Sequence, residues 1–356
     1  RSSPRGRAAA QRAFCRNTFE TDLSNFLEMI IQQLATSAEA FEQQFAQLLH
    51  WDMHTDSELD QRVAAILGQV RQRGDDAVLE LTNELDRRNL TAPADFVLSA
   101  ETLQAAWHRV QPQHQDALQL AAERIRIFHE RQLESSWSFQ DDLGNRLGQR
   151  ISPLETVGVY VPGGQAAYPS SVLMTLIPAK VAGVENIVVT VPTPAGEASD
   201  MVLAALHLGG ADQVFSIGGA QAIGALAYGT QSVPRVDKIV GPGGAYVATA
   251  KKQVFGQVGI DMIAGPSEVL ILADGSTPVD WAVMDLFSQA EHDPSAQSIL
   301  ISDNRGYIEQ VAARIAALLP DMTRAEIIRD SLSQRGALIH CADKQEALAL
   351  ANRIAP

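Results

Sequence analysis

Two side chains near the end of a predicted helix have the types and the spacing of metal ligands. Gln289 and His292 are separated by two residues, so on a helix they lie on the same face. One offers an amide oxygen and the other an imidazole nitrogen, and a divalent metal ion accepts both. Short Gln-x-x-His spacings are common, and a capping or packing role explains the pair without a metal. The pair is therefore a candidate metal site that depends on the chain around it.

Three predicted strands in the middle of the chain end in glycine-rich turns. These turns are Pro162-Gly163-Gly164, Gly218-Gly219-Ala220-Gln221 and Gly241-Pro242-Gly243-Gly244. In an open parallel sheet, ligands bind beyond the carboxyl ends of the strands, where glycine lets the backbone approach a phosphate or a ring. Tight turning alone is the other explanation, but three such turns on one edge favour a nucleotide or another anion. The spacing is not Gly-x-Gly-x-x-Gly, so the standard dinucleotide fingerprint is not predicted.

A Gly-Pro turn at Ala264-Gly265-Pro266-Ser267-Glu268 joins this middle block to the rest of the chain. It places a hydroxyl and a carboxylate at a predicted domain junction, and clefts between domains are preferred ligand sites. Ser267 is therefore a candidate binding residue. A hinge turn in which Ser267 caps local backbone groups is the alternative.

Composition excludes several classes of function. The 356 residues are enough for two or three domains, and their net charge of −14 argues against a groove that binds nucleic acid. The two cysteines, Cys15 and Cys341, are far apart, which predicts no disulfide framework and suits a reducing cytoplasm. The most apolar run, residues 181–191, is interrupted by Glu185 and Asn186, so no membrane-spanning segment is predicted.

Hydrophobic spacing predicts helices first and then an alternation of strands and helices. Residues 37–133 have helical spacing, with Ser37 as a predicted cap and Pro112 at the start of a long helix. From about Ile151 the pattern changes, and the predicted strands are residues 157–161, 187–191, 213–217, 236–240, 269–273, 298–302 and 337–340. Such β-branched runs, separated by helices, predict parallel sheets that are covered on both faces.

The predicted fold class is α/β, with two Rossmann-like parallel-sheet domains and an N-terminal helical segment. The second domain, residues 157–268, is inserted in the first, which takes residues 29–156 with the N-terminal helices and residues 269–356. Residues 1–28 contain five Arg and only three acids before Met29. They are predicted to be a non-native or upstream extension, with the remnant of a transit peptide as the alternative.

Five motifs follow one another along the chain: Val159-Tyr160-Val161-Pro162-Gly163-Gly164, Gly218-Gly219-Ala220-Gln221-Ala222-Ile223, Val240-Gly241-Pro242-Gly243, Asp261-Met262-Ile263-Ala264-Gly265-Pro266-Ser267-Glu268-Val269-Leu270 and Ser288-Gln289-Ala290-Glu291-His292. In this order they closely resemble the histidinol dehydrogenase family, from about residue 29 to the end. The resemblance implies a zinc-dependent enzyme that oxidises L-histidinol to L-histidine through histidinal and reduces NAD. It also implies a homodimer that is cytoplasmic in bacteria.

The resemblance assigns roles to individual residues. Tyr160 and Gln221 match the NAD-contacting positions of the family, and Gly244 stands where the family usually has a third, Asn. Ser267, Gln289 and His292 match substrate-contacting positions, and Gln289 and His292 also match zinc ligands. Glycine at position 244 lacks the amide of the family's Asn, which puts the affinity for NAD in question.

The catalytic groups of the family have no match in this sequence. The family has a Glu-His pair that handles protons shortly after a segment like residues 351–356, and two further zinc ligands beyond it. The chain is therefore expected to be a C-terminally truncated form that is inactive by itself. The alternatives are a related dehydrogenase of another amino alcohol or of a sulfonated alcohol, and a non-catalytic ligand-binding α/β protein. The last would predict a secretion signal and no zinc.

Overall fold

The structure, a computed structural model, describes residues 30–50, 57–163, 168–263, 265 and 267–356. The described residues fall into two compact units. Unit 1 contains residues 30–50 and everything from residue 265 onward, and unit 2 contains residues 57–263. The extension predicted at residues 1–28 lies outside the described residues, and the Pro162-Gly163-Gly164 motif is described only as far as Gly163.

Unit 1 begins with the strand β1 (Gln32–Ala35) and the helix α1 (Phe41–Leu49). The helix begins at Phe41 and not near Ser37, and Phe41 and Phe45 are buried on one of its sides. The strand was not predicted, because a segment this short has too few residues to show an alternating pattern.

Helices and an antiparallel hairpin precede the main sheet of unit 2. They are α2 (Ser57–Arg73), α3 (Asp75–Leu85), a short strand β2 (Val97–Leu98), α4 (Ala100–Arg109), α5 (Pro112–Glu130) and the hairpin strands β3 (Trp137–Gln140) and β4 (Arg146–Gln149). Pro112 opens α5 as predicted, because its missing N–H and fixed φ suit the first helical position.

Strands and helices then alternate in unit 2, in agreement with the predicted fold class. The elements are β5 (Thr156–Tyr160), α6 (Pro169–Val181), β6 (Asn186–Thr190), α7 (Asp200–Gly209), β7 (Gln213–Phe215), α8 (Gly219–Tyr228), β8 (Lys238–Val240), α9 (Ala245–Val254) and β9 (Gly259–Ile260). The sheet order is β2-β7-β6-β5-β8-β9, and only β2 runs antiparallel to its neighbour.

Both faces of this sheet are covered by helices. Val157 and Val159 on β5 join a buried core with α4, α5, α6 and α7, whereas Tyr160 joins a separate core with α2, α3, α8 and α9. Alternate residues of one strand thus serve opposite cores, as the pleat requires. This explains the near-continuous apolar character of β5 and β6.

The helices before residue 150 lie in a different unit from the one that the sequence suggested. The prediction placed residues 29–156 with the later strands, but α2 to α5 are part of unit 2. Val63, Leu67 and Val70 of α2 are buried in the same core as Ile223 and Leu226 of α8. On one face of the sheet of unit 2, α4 and α5 share a core with α6 and α7, and on the other, α2 and α3 share a core with α8 and α9. The boundary of the first segment therefore moves from residue 156 to about residue 50.

The second part of unit 1 completes a four-stranded parallel sheet of order β1-β12-β11-β10. Its elements are β10 (Glu268–Ala273), α10 (Val279–Ala290), β11 (Gln297–Ser302), α11 (Arg305–Leu318), α12 (Ala325–Arg335), β12 (Ala337–His340) and α13 (Lys344–Ile354). Leu300 faces one core, and Ile299 and Ile301 face the other. In the described part of the chain, no helix is both long enough and apolar enough to span a membrane.

Candidate functional site

Two glycine-rich turns of unit 2 pack against Pro192 at the carboxyl edge of its sheet. Gly163 follows β5, Gly218 follows β7, and Pro192 follows β6 between them. A Cβ atom added at Gly163 would lie 2.8 Å from Pro192 Cγ, and one added at Gly218 would lie 2.4 Å from Pro192 Cβ. Side chains cannot approach each other so closely, so glycine is required for this packing. Close packing against Pro192 accounts for these two glycines, whereas the alternative to a ligand that the sequence left open was tight turning.

The third turn, after β8, passes directly against the end of β5. Gly241 has a φ of +112°, a conformation that favours glycine. A Cβ atom added there would lie 2.1 Å from the carbonyl oxygen of Tyr160. The turn can therefore follow this path only with glycine at this position, and it then leads through Gly243 to the first turn of α9.

Tyr160 ends β5 with its side chain buried beside the turn after β7. Its Oη atom accepts a hydrogen bond of 3.2 Å from the backbone N–H of Gly219. Burial raises the pKa of this hydroxyl to about 12; the Gly219 N–H opposes the rise, and the carboxylate of Asp86 adds to it. The hydroxyl is neutral at physiological pH, as in an ordinary tyrosine, and the raised pKa extends its neutral range to more alkaline pH.

Gln221 lies in the first turn of α8 and is 1% exposed. Its Oε1 atom is buried without a hydrogen-bond partner among the described residues. A Cβ atom added at Gly219 would lie 2.7 Å from this oxygen, so Tyr160 and Gln221 meet at the same glycine. A buried amide oxygen without a partner costs about 1–3 kcal/mol, which a hydrogen-bond donor on a ligand would recover. This atom fits a cofactor that carries hydroxyl and amide donors, as NAD does.

Gly244 is the N-cap of α9 and differs from the other glycines of the edge. Its φ of −66° and ψ of −177° are open to any residue, and no heavy atom lies within 4 Å of an added Cβ. Packing therefore does not demand glycine here. The position faces open space where the free N–H groups of α9 favour a negative charge.

Sequence reasoning missed two other buried polar atoms near Tyr160. Thr190 pairs with Tyr160 across the sheet, and its Oγ1 has no hydrogen-bond partner in the part of the chain that the structure describes. The same holds for Oδ2 of Asp86, just after α3; burial raises the pKa of this carboxyl, and Arg88 partly offsets the rise. No sequence signal marks either residue. An acid at the end of an amphipathic helix, as Asp86 is, is typical of exposed surface.

The remaining candidate residues lie in unit 1. Gln289 is half-buried in the last turn of α10, and His292 is exposed just beyond the helix end. The N–H of His292 donates to the carbonyl of Gln289 at 3.2 Å, which keeps the two residues one turn apart as predicted. Ser267 is exposed immediately before β10, and its carbonyl accepts a 3.2 Å hydrogen bond from the N–H of Gln297. Its motif neighbours Ala264 and Pro266 lie outside the described residues.

Gln289 and His292 alone do not make a zinc site. A bound zinc ion usually has three or four protein ligands. Among the described residues, no group of three or more His, Cys, Asp or Glu side chains is arranged to hold a metal ion. These two side chains therefore fit part of a ligand set and not a complete one.

A model of the histidinol dehydrogenase family matches residues 50–356. The chain belongs to the histidinol dehydrogenase family. Histidinol dehydrogenase of Pseudomonas aeruginosa is 56% identical over 326 residues, which cover 92% of this chain and 74% of that protein. Histidinol dehydrogenase of Chromobacterium violaceum is 55% identical over 324 residues, which cover 91% of this chain and 75% of that protein.

A solved structure agrees with the family membership. The crystal structure of histidinol dehydrogenase from Elizabethkingia anophelis matches with a TM-score of 0.84 at 30% sequence identity, over 92% of this chain and 75% of that one. The resemblance drawn from the five motifs is thereby confirmed, as is the α/β fold class. The chain is an oxidoreductase of this family, and the alternative of a non-catalytic ligand-binding protein is set aside.

Proposed function

We propose that the candidate site residues of units 1 and 2 serve the NAD-dependent oxidation of L-histidinol to L-histidine through histidinal. The observation that carries the proposal is the buried Oε1 atom of Gln221, which has no partner among the described residues and lies beside the Gly218-Gly219 turn. By the motif resemblance, Gln221 matches a position at which the family contacts NAD. Family membership over residues 50–356 supports the substrate and the reaction.

NAD supplies the hydride acceptor of the reaction. The residues of unit 2 bind and orient it. Gln221 offers a desolvated acceptor, and Tyr160 offers a buried hydroxyl that is protonated at physiological pH. The turn before α9 brings backbone N–H groups and an open position at Gly244. Since all of these groups are fixed by strand ends and helix starts, they bind without first having to be ordered.

Zinc and substrate contacts are proposed for unit 1. Gln289 and His292 are proposed as zinc ligands, and these two with Ser267 as contacts to histidinol; the support is the match of the motifs to the family. Two donors are fewer than the three or four protein ligands of a usual zinc site, so zinc would need further ligands beside this pair. A homodimeric state and a cytoplasmic location are proposed on the resemblance alone.

Replacing Gln221 by Met tests the proposal, because Met has a similar shape and no oxygen. Loss of an unpartnered buried oxygen should leave the free energy of unfolding unchanged or raise it by about 1 kcal/mol. The affinity for NAD should fall about tenfold, the equivalent of one hydrogen bond at about 1.4 kcal/mol. Thermal unfolding and isothermal titration calorimetry measure the two quantities.

Gln297→Met is the matched control. Gln297 is also 1% exposed, but its Nε2 donates to the carbonyl of Leu48 at 3.2 Å in unit 1. This variant should lose stability and keep its affinity for NAD. If Gln221→Met loses stability in the same way and still binds NAD like the wild type, Gln221 has only a structural role and the proposal is wrong.

A further inference from the structure

Lys251 is a buried lysine on α9 whose side chain is only 2% exposed. Lysine is almost never fully buried unless its ammonium group is paired, because removing the charge from water is costly. Its neighbour Lys252 is exposed, as the end of a surface helix normally is. The burial of Lys251 therefore requires an explanation from its partners.

The two partners of Lys251 are Gly241, in the turn after β8, and Asp261, which also contacts that turn. The Nζ atom donates to the carbonyl oxygen of Gly241 at 2.9 Å and forms an ion pair with Oδ1 of Asp261. The other carboxylate oxygen, Oδ2, accepts from the N–H of Gly241 at 2.8 Å. One ion pair thus holds both the N–H and the carbonyl group of a single glycine.

That glycine is the point where the turn has the least freedom. Gly241 lies at a positive φ and so close to the carbonyl of Tyr160 that no side chain fits. It also lines, with Pro242 and Asp261, an open groove of about 770 Å³ in unit 2. The ion pair fixes the turn from the α9 side.

A buried ion pair is a poor way to gain stability alone. The cost of desolvating the two charges offsets most of their attraction, and apolar residues of similar volume often stabilise a protein equally well. The geometric effect is different, because charge-assisted hydrogen bonds fix the direction of the peptide groups that they contact. The contacts to Gly241 therefore point to a role in the conformation of the turn.

We propose that Lys251 and Asp261 are positioning residues that hold the Gly241–Gly244 turn in the conformation that binds the nicotinamide cofactor. The inference rests on the proposed NAD-binding role of this edge. The pair acts through the turn: it sets the path from β8 to Gly244 and the N terminus of α9. Without it, the turn gains conformations that must be given up on binding, and the affinity falls.

The first test is Lys251→Met in the 356-residue chain, with Lys180→Met as the control. Lys180 forms a 2.8 Å ion pair with Asp212 in the same unit, away from the glycine turns. Lys251→Met should weaken NAD binding about tenfold or more in calorimetry, whereas Lys180→Met should stay within about twofold. Amide hydrogen exchange should become at least tenfold faster at residues 241–244 in Lys251→Met and remain unchanged in β5 and β6.

The exchange measurement separates this inference from the proposed function. If the wild type binds no NAD, the proposed function fails, and local exchange at residues 241–244 still decides whether the ion pair holds the turn. A purely structural role would accelerate exchange across all of unit 2 and reduce NAD binding only in proportion to the unfolded fraction. Either that pattern, or unchanged exchange with unchanged affinity, overturns the inference.

The double variant Lys251→Met, Asp261→Asn keeps the test decisive if the single variant does not fold. Removing both charges leaves no unpaired ion in the interior, so folding should be retained. The Asn can still accept from the N–H of Gly241, but the hydrogen bond from Lys251 to the carbonyl of Gly241 is lost. We expect faster exchange at residues 241–244 and weaker NAD binding in this variant as well. Wild-type exchange and affinity in the double variant would refute the positioning role.

Discussion

At the scale of single residues, the glycines at the carboxyl edge of the unit 2 sheet differ in whether the packing around them requires glycine. Gly163, Gly218 and Gly241 are required because a side chain would collide with Pro192 or with the backbone of Tyr160. Gly244 meets nothing within 4 Å and has an ordinary extended conformation. A substitution that damages the first three positions should therefore be accepted at the fourth.

Gly244→Asn should strengthen NAD binding by a few tenths to about 1.5 kcal/mol, if one net hydrogen bond is gained. The Asn side chain can also cap α9, which should raise the free energy of unfolding by a few tenths of a kcal/mol. Calorimetry and thermal unfolding distinguish the two effects. Gly244→Ala is the control, because it removes the same backbone freedom without an amide. Equal NAD affinity in the two variants would count against a contact from position 244.

Tyr160 predicts a pH dependence of stability. Its pKa is raised to about 12 by burial, whereas an unfolded tyrosine ionises near 10. The stability contributed by the neutral hydroxyl is therefore fully present below pH 10 and is lost as the pH rises towards 12. The difference in unfolding free energy between the wild type and Tyr160→Phe should be constant below about pH 9 and fall by roughly 1 kcal/mol between pH 10 and 11. A difference that stays flat to pH 11 would contradict the burial of the hydroxyl.

Tyr160, Gln221 and Gly244 could be predicted as cofactor-binding positions from the sequence because their motifs are long and occur in a fixed order. The sequence could not identify Lys251, since two consecutive lysines at a helix end are typical of solvent-exposed surface. Nor could it show that Gln221 is buried without a partner. Burial depends on the residues that pack around a side chain, and these come from segments that are distant in the sequence.

At the scale of elements, α10 ends between the two residues that are proposed as zinc ligands, Gln289 and His292. The helix stops at Ala290, and the turn that carries His292 is held to it by the hydrogen bond to the carbonyl of Gln289. The predicted one-turn spacing is kept although the second residue is not helical. Zinc binding should therefore respond to each residue according to the strength of its ligand atom.

Zinc content should fall further in His292→Ala than in Gln289→Ala, because an imidazole nitrogen is a stronger zinc ligand than a neutral amide oxygen. The appropriate background is a chimera that continues past Pro356 with the corresponding residues of the Pseudomonas aeruginosa relative. Metal content after dialysis and the rate of NADH formation should fall together in His292→Ala. His114→Ala, at an exposed position on α5, is the control. Wild-type zinc and rate in His292→Ala would remove His292 from the ligand set.

The regular alternation of strands and helices could be predicted because β-branched runs and helical spacing are local signals. The strands that were missed, β1, β2, β9 and the β3–β4 hairpin, have two to four residues each. β1 exists only because it pairs with β12, about 300 residues later in the chain. The assignment of α2 to α5 to a unit depended on which sheet these helices pack against, and that is also a property of the tertiary structure.

At the scale of the whole molecule, each unit has its own buried cores. The cores of unit 2 are formed only by residues between 59 and 258, and those of unit 1 only by residues before 50 or after 269. The residues proposed to bind the cofactor and those proposed to bind zinc therefore depend on separate packing. Loss of one function need not affect the other.

The 356-residue chain should accordingly bind NAD weakly, retain zinc poorly and form no NADH with histidinol. NAD binding follows from the packed edge of unit 2, where Tyr160 and Gln221 are held in place. Poor zinc retention follows because the described residues offer only the Gln289 and His292 pair and no cluster of three ligands. Glu291, the residue before His292, belongs to no such cluster among the described residues. The chimera with the Pseudomonas aeruginosa relative should gain zinc and turnover together. Steady NADH formation by the purified 356-residue chain, free of host enzyme, would show that it contains a proton acceptor and a metal site other than those proposed.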